Sequence, residues 1–209
     1  MILDNILNIF KNKVAPRYRN HELSFDLESY HGRFHILRCL ILADSIYCYY
    51  SYNNKKVDIE RSLYAILFHD IMRQNNGTDI WESESAHECF TFLKNIGLSD
   101  DYASQTSELI LKNNCNSIEE QILYDVDVLD YQRFFYLPDD RHLFEDFRLK
   151  FAGPNDVFGI DDLKARSKII RLSEKLVIFT STIPVSISTD DLVSLVVAYY
   201  NNIKPWKLN

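Results

Sequence analysis

Apolar residues return every three or four positions along stretches that no helix breaker interrupts, and this constrains the fold more than any other feature of the chain. Only five glycines and five prolines occur in 209 residues. Ile36, Cys39, Leu40, Ala43, Tyr47 and Tyr50 share one helical face within residues 27–50. Leu63, Ile66 and Leu67 repeat the pattern ahead of His69-Asp70, in a helix that should end near Met72. Residues 82–96 carry Ala86, Phe90 and Leu93 on one face, with Gly97 placed as a C-terminal cap. A further helix is predicted from Asp100 to about Lys112. Ser117 and Glu120 form a capping box that opens a helix through Ile122, Val126 and Leu129 toward Leu137-Pro138. Helical patterns follow from Asp161 to about Val177 and from near Ser188, beyond a turn at Gly153-Pro154-Asn155. Residues 1–14 read as an amphipathic helix and residues 15–25 as a polar linker. Residues 177–187 are rich in β-branched side chains that would suit a strand, but a lone strand has no partner here. The expectation is an all-α fold, with residues 1–209 forming a single domain.

The formal net charge of −7 disfavours nonspecific binding to nucleic acid or to anionic membrane. A small anionic ligand stays compatible, because a metal and a few arginines can reverse the field inside one cleft. Cys39, Cys48, Cys89 and Cys115 show no C-x-x-C pairing, so reduced thiols in the cytoplasm are the simplest reading. No apolar run is long enough to span a membrane without charge, and the opening residues lack a cleavage site.

The chemistry concentrates where an acid follows an apolar run. Asp70 comes directly after Ala65-Ile66-Leu67-Phe68-His69, and a carboxylate on the inner side of a helix needs compensation that a cation would supply. His35 and Asp127 stand on other predicted helices, so three helices could bring imidazole and carboxylate donors to one ion. Asp127 and Asp130 are three apart and share a face, whereas Asp125 points elsewhere.

The ordered set His35, His69-Asp70 and Asp127 resembles the HD superfamily of metal-dependent phosphohydrolases. His31-Gly32-Arg33-Phe34-His35-Ile36-Leu37-Arg38 is similar to the H-G-x-x-H-x-x-R opening of one branch. The blocks at residues 65–70 and 123–130 look like its other two, and together the similarity covers about residues 28–135. The resemblance implies an HD-like helical bundle over that core, with a helical extension at about 139–209. It implies one divalent ion per chain (Mn, Co, Ni, Fe, Mg or Zn) on His35, His69, Asp70 and Asp127. The implied activity is hydrolysis of a small phosphate ester, nucleotides included, with Asp70, His31 and Asp130 as catalytic residues. His31 would donate to a phosphate or leaving group, and Asp130 would orient a histidine or accept a proton from water. Arg38, Arg73 and Lys112 are the candidates to neutralise substrate charge.

Alternatives stay open on the residues. Two histidines four apart can chelate one metal, so His31 could be a direct ligand. His87 is the one histidine between Asp70 and Asp127, which favours a mononuclear site over a di-iron oxygenase. Asp79-Ile80-Trp81-Glu82 departs from the related branch, where a histidine is expected near Glu82; Glu82 or Glu84 could bind a hard metal in its place. That departure supports the alternative of a catalytically silent or regulatory metal-binding domain. The tyrosines at 47–52 and the aromatic group Phe134, Phe135 and Tyr136 are assigned to packing rather than to base stacking.

Overall fold

The computed structural model describes residues 2–111, 117–131, 133, 160 and 162–206. Among these the fold is all helical, with no strand. The helices are α1 (Ile2–Ile9), α2 (Ala15–Ser24), α3 (Arg33–Tyr52), α4 (Ile59–Phe68), α5 (Glu82–Asn95), α6 (Asp100–Glu108), α7 (Ile118–Asp130), α8 (Leu163–Ser181) and α9 (Thr189–Ile203). A π-helical turn, Phe10–Val14, joins α1 to α2, and a short 3₁₀ turn, Leu109–Leu111, follows α6.

Helix α3 is the axle of the bundle. It is buried without interruption from Arg33 to Ala43, and α2, α4, α7, α8 and α9 pack around it. An apolar surface on every side of a helix suits only such a central position. The same position forces its polar residues, Arg33, His35 and Arg38, to find partners inside the protein. One hydrophobic cluster runs from Ile6 in α1 to Tyr200 in α9, so the C-terminal helices belong to the same core as α3 and α4.

Several helix starts follow directly from side-chain caps. Ser117 accepts from the backbone N–H of Glu120 at 3.0 Å, as the capping box predicts. Ser99, Asp162 and Ser188 serve α6, α8 and α9 in the same way. Gly97 has φ of +91° and closes α5, while Leu98 N–H reaches back to the Leu93 carbonyl at 3.1 Å.

Three expectations are corrected, and the reading left open at 177–187 is decided. Residues 15–24 are helix α2 rather than a linker; Pro16 sits in its first turn, where a missing N–H costs nothing. Helix α3 begins at Arg33, six residues later than the periodicity suggested, because residues 26–32 form a separate turn. Helix α4 stops at Phe68, so His69 and Asp70 stand just beyond its C-terminus. Residues 177–181 continue α8, and no strand forms in 177–187. Lys112, Cys115, the Gly153-Pro154-Asn155 loop and the aromatics at 134–136 lie outside the described residues.

The turn before α3 is built around a close approach. Asp26 accepts from the backbone N–H groups of Tyr30 and His31 at 2.8 and 2.9 Å. Glu22 of α2, fully buried, accepts from Ser29 Oγ, Arg33 N and Arg33 Nε at 2.6, 2.9 and 2.8 Å. Arg33 in turn donates to the carbonyls of Val185 and Ile187, tying the approach to α9 onto the start of α3. A Cβ at Gly32 would lie 2.4 Å from Ser29 Oγ and 2.8 Å from Glu22 Oε1. Both oxygens are pinned by their own hydrogen bonds, so a Gly32→Ala variant should lose about 1–3 kcal/mol, the usual cost of overpacking. Urea unfolding would register it; a loss below about 0.5 kcal/mol would mean that the turn yields.

Candidate metal centre

Three elements place the donors. His35 comes from the first turn of α3, His69 and Asp70 from the turn after α4, and Asp127 from α7. His35 Nε2 and His69 Nε2 face each other at 3.0 Å. Asp70 Oδ2 is 3.6 Å from each of these nitrogens, and Asp127 Oδ1 is 3.6 and 3.8 Å from them. His35, His69 and Asp70 are buried and form a group whose donor atoms could hold a metal ion. Asp127 is the more open member, with its side chain 20 % exposed.

Hydrogen bonding at the far side of each ring determines what the near side offers. His69 Nδ1 meets the Ile66 carbonyl at 2.9 Å, and a carbonyl can only accept, so Nδ1 carries the proton. His35 Nδ1 donates to Asp130 Oδ2 at 2.7 Å. In the neutral rings both Nε2 atoms are therefore bare lone pairs. Burial pulls the His35 pKa down to about 3, with Arg133 acting in the same direction against the opposing pull of Asp130. Two bare nitrogens face each other at hydrogen-bond distance with no proton between them, and oxygens of Asp70 and Asp127 stand beside them. That arrangement fits a cation of the kind that takes mixed imidazole and carboxylate ligands.

The surrounding residues orient this set. Asp130 is fully buried and also accepts from Arg38 Nε and Nη2 at 2.6 and 2.9 Å and from Arg133 Nη1 at 3.2 Å. Burial alone would raise the Asp130 pKa, but Arg38, His35 and Arg133 outweigh it and hold the carboxyl well below its ordinary range. Asp70 is likewise held low: burial pushes it up, and His69, His31 and His35 overcome that push. The Tyr18 hydroxyl donates to the Leu67 carbonyl at 3.0 Å and also meets the backbone of Asp70, securing the turn that carries His69 and Asp70.

The predicted residues separate into those that meet the centre and those that do not. His31 does reach it, but from the turn before α3: its Nδ1 is 2.9 Å from Asp70 Oδ2. Asp130 Oδ2 meets His35 Nδ1 at 2.7 Å, on the side of the ring away from His69. Arg38 departs from its expected role as a substrate contact, since Asp130 occupies its Nε and Nη2 and Thr180 Oγ1 its Nη1 at 3.0 Å. Arg73 lies beside Asp70, with Nε 3.9 Å from Oδ1. Glu84 is exposed on α5. Tyr18, Glu22 and Arg133 were not anticipated; the placement of Arg133 three residues after Asp130 was the one available signal.

A second buried group, His35, Cys39 and Asp130, also has metal-ligand chemistry. It shares His35 through Nδ1, which is 3.6 Å from Cys39 Sγ. Asp130 is already matched there by two guanidinium groups, and burial pushes the Cys39 thiol well above its ordinary value. An ion would meet both arginines, so this side serves as scaffold for the first.

Comparison with protein-family models, with curated proteins and with solved structures returns no match. No helix among the described residues is long and apolar enough to cross a membrane.

Proposed function

We propose that this chain is a metal-dependent phosphohydrolase of the HD type acting on small phosphate esters, nucleotides among them. The observation that carries the reading is the pair of bare Nε2 atoms 3.0 Å apart, with Asp70 and Asp127 oxygens within 3.8 Å. His35, His69, Asp70 and Asp127 would hold one divalent ion. Their nitrogen and oxygen donors favour Mn, Fe, Co, Ni or Zn over Mg, which prefers oxygen alone. When bound, such an ion supplies Lewis acidity to a phosphoryl oxygen and lowers the pKa of water.

The protein's own groups do the rest. Asp130 keeps the His35 proton on Nδ1 and its lone pair on Nε2. His31, with Nδ1 on Asp70, has Nε2 left for substrate, and as an imidazolium it would carry there the proton that a leaving oxygen takes up. Among the described residues, Arg73 is the guanidinium beside the donors that is not consumed by a short ion pair, and it receives substrate charge. Arg38 acts through Asp130 rather than on substrate.

Elemental analysis of the purified chain, followed by assay of a phosphate-ester panel with Mn, Co, Ni, Fe, Mg and Zn, tests the reading. About one ion per chain and metal-dependent turnover are expected. Tight metal binding with no turnover on any ester would establish the second reading, a silent metal-binding domain. The Asp79–Glu82 segment favours that second reading, because Asp79 already shares Arg73.

A further inference from the structure

Arg73 is an arginine with few satisfied donors. It is 7 % exposed, yet its Nε is buried without a hydrogen-bond partner. Among the described residues its Nη atoms find one hydrogen-bond acceptor, the Gly77 carbonyl, at 3.4 and 3.5 Å. Asp70 Oδ1 and Asp79 Oδ2 stand at 3.9 and 3.8 Å, within ion-pair range and beyond hydrogen-bond length. The guanidinium lies over the Trp81 ring at 5.9 Å. A buried guanidinium usually satisfies its donors, so the shortfall points to a missing set of acceptor oxygens.

Asp79 is held in place from the other side. Its Oδ1 accepts the Trp81 backbone N–H at 3.2 Å, which fixes the carboxylate at the entry to α5. The preceding loop is anchored as well, by Asn76 on the Phe25 carbonyl at 3.3 Å and by Gly77 N–H on Asn75 Oδ1 at 2.8 Å. Arg73 therefore presents hydrogen-bond donors while two carboxylates offset its charge.

We propose that Arg73 is the anion-receiving group of this centre and that Asp79 restricts it to a singly charged phosphoryl group, so that phosphodiesters are preferred over phosphomonoesters. The turnover part rests on the phosphohydrolase reading; the binding part does not. A phosphodiester carries one negative charge, whereas a monoester carries nearly two at pH 7, its second pKa being about 6. The second charge meets Asp79 and Asp70 across Arg73, and repulsion at that range disfavours it. In hydrolysis the water oxygen bonds to phosphorus, the ester P–O bond breaks, and the leaving oxygen takes up a proton. The product monoester then carries the extra charge that Asp79 opposes, which favours its release.

Bis(p-nitrophenyl) phosphate and p-nitrophenyl phosphate test this on the metal-loaded full chain. Binding is followed by quenching of Trp81 fluorescence in a Trp206→Phe background, and hydrolysis by release of nitrophenol. The diester should be favoured by about tenfold, and Asp79→Asn should shift the ratio about tenfold toward the monoester. Asparagine still accepts the Trp81 N–H, so the start of α5 is retained. Arg73→Gln should weaken both ligands. An unchanged ratio in Asp79→Asn, a wild-type preference for the monoester, or undiminished binding by Arg73→Gln overturns the proposal. Diester binding with no hydrolysis of any ester sinks the catalytic reading and leaves the subsite standing.

Discussion

If the proposed centre takes a divalent ion, a His69→Gln variant should lose that binding and, with it, the thermal stabilisation that the ion would confer on the wild type. At a free metal concentration about a hundredfold above its dissociation constant, binding adds about 2.7 kcal/mol to the folded state. In a chain of this size that corresponds to about 5–10 °C in the unfolding midpoint. The variant keeps His35, Asp70 and Asp127 but removes one of the two imidazoles, and it should gain almost nothing. The metal-free comparison is the sharper one. His35 Nε2 and His69 Nε2 are 3.0 Å apart and both bare, so the empty wild-type site holds a repulsion. A glutamine amide can turn its NH₂ toward His35 and replace that repulsion with a hydrogen bond. Metal-free His69→Gln should therefore be no less stable than metal-free wild type, although a buried side chain has been changed. Thermal melts with and without chelator, beside elemental analysis, read both effects. A metal-free variant more than about 2 kcal/mol below wild type would mean that the two rings already share a proton and need no cation.

That donor set was legible in the sequence because its members sit on three separate helical patterns with apolar flanks. His35 lies inside the most continuous apolar run of the chain, His69-Asp70 ends another, and Asp127 follows a capping box that the structure reproduces at Ser117. Helix α2 was hidden for the opposite reason. Arg17, Arg19, Asn20, His21 and Glu22 give it no apolar stripe, and it is held by bonds to distant residues. Glu22 reaches Arg33, and Tyr18 reaches Leu67 at 3.0 Å. Periodicity cannot register such bonds, since the buried polar atom looks like a surface residue until its partner is known.

The same blindness misplaced His31 and Arg38. Read as one turn before His35 on a single helix, His31 should share that helix's face. Asp26 instead gathers the backbone of residues 30 and 31 into a turn, and His31 arrives at Asp70 from outside α3. Arg38 resembles a phosphate ligand by type alone. Its guanidinium is used by Asp130, ninety-two positions away in sequence, at 2.6 and 2.9 Å. An arginine on the central helix of a bundle has no solvent to face, so its charge becomes part of the scaffold.

Asp130→Asn should be the most destabilising single substitution at the centre and should also impair metal binding. Asp130 is fully buried and accepts from His35, Arg38 and Arg133. An asparagine leaves two buried guanidinium groups without their anion, and breaking a buried pair in this way costs about 3–5 kcal/mol. The amide can also present its NH₂ to His35 Nδ1, which moves the ring proton to Nε2 and blocks the lone pair that faces His69. Arg38→Met removes a cation and leaves Asp130 with Arg133 and His35, so its cost should be smaller and its metal affinity closer to wild type.

Acid separates this account from simple loss of packing. The folded Asp130 pKa lies below the unfolded value of about 3.9, so its contribution is complete above that pH and fades as pH falls through the folded value. The gap between wild type and Asp130→Asn should hold from pH 7 down to about 5 and narrow progressively below about 4. His35 adds a separate slope: with its folded pKa near 3, the unfolded chain takes up the proton first as pH drops below about 6.5, and stability falls from there. Urea unfolding of both proteins at pH 7, 5 and 2.5 distinguishes the two. A gap that stays constant through pH 2.5 would show that Asp130 matters for its shape and not for its charge.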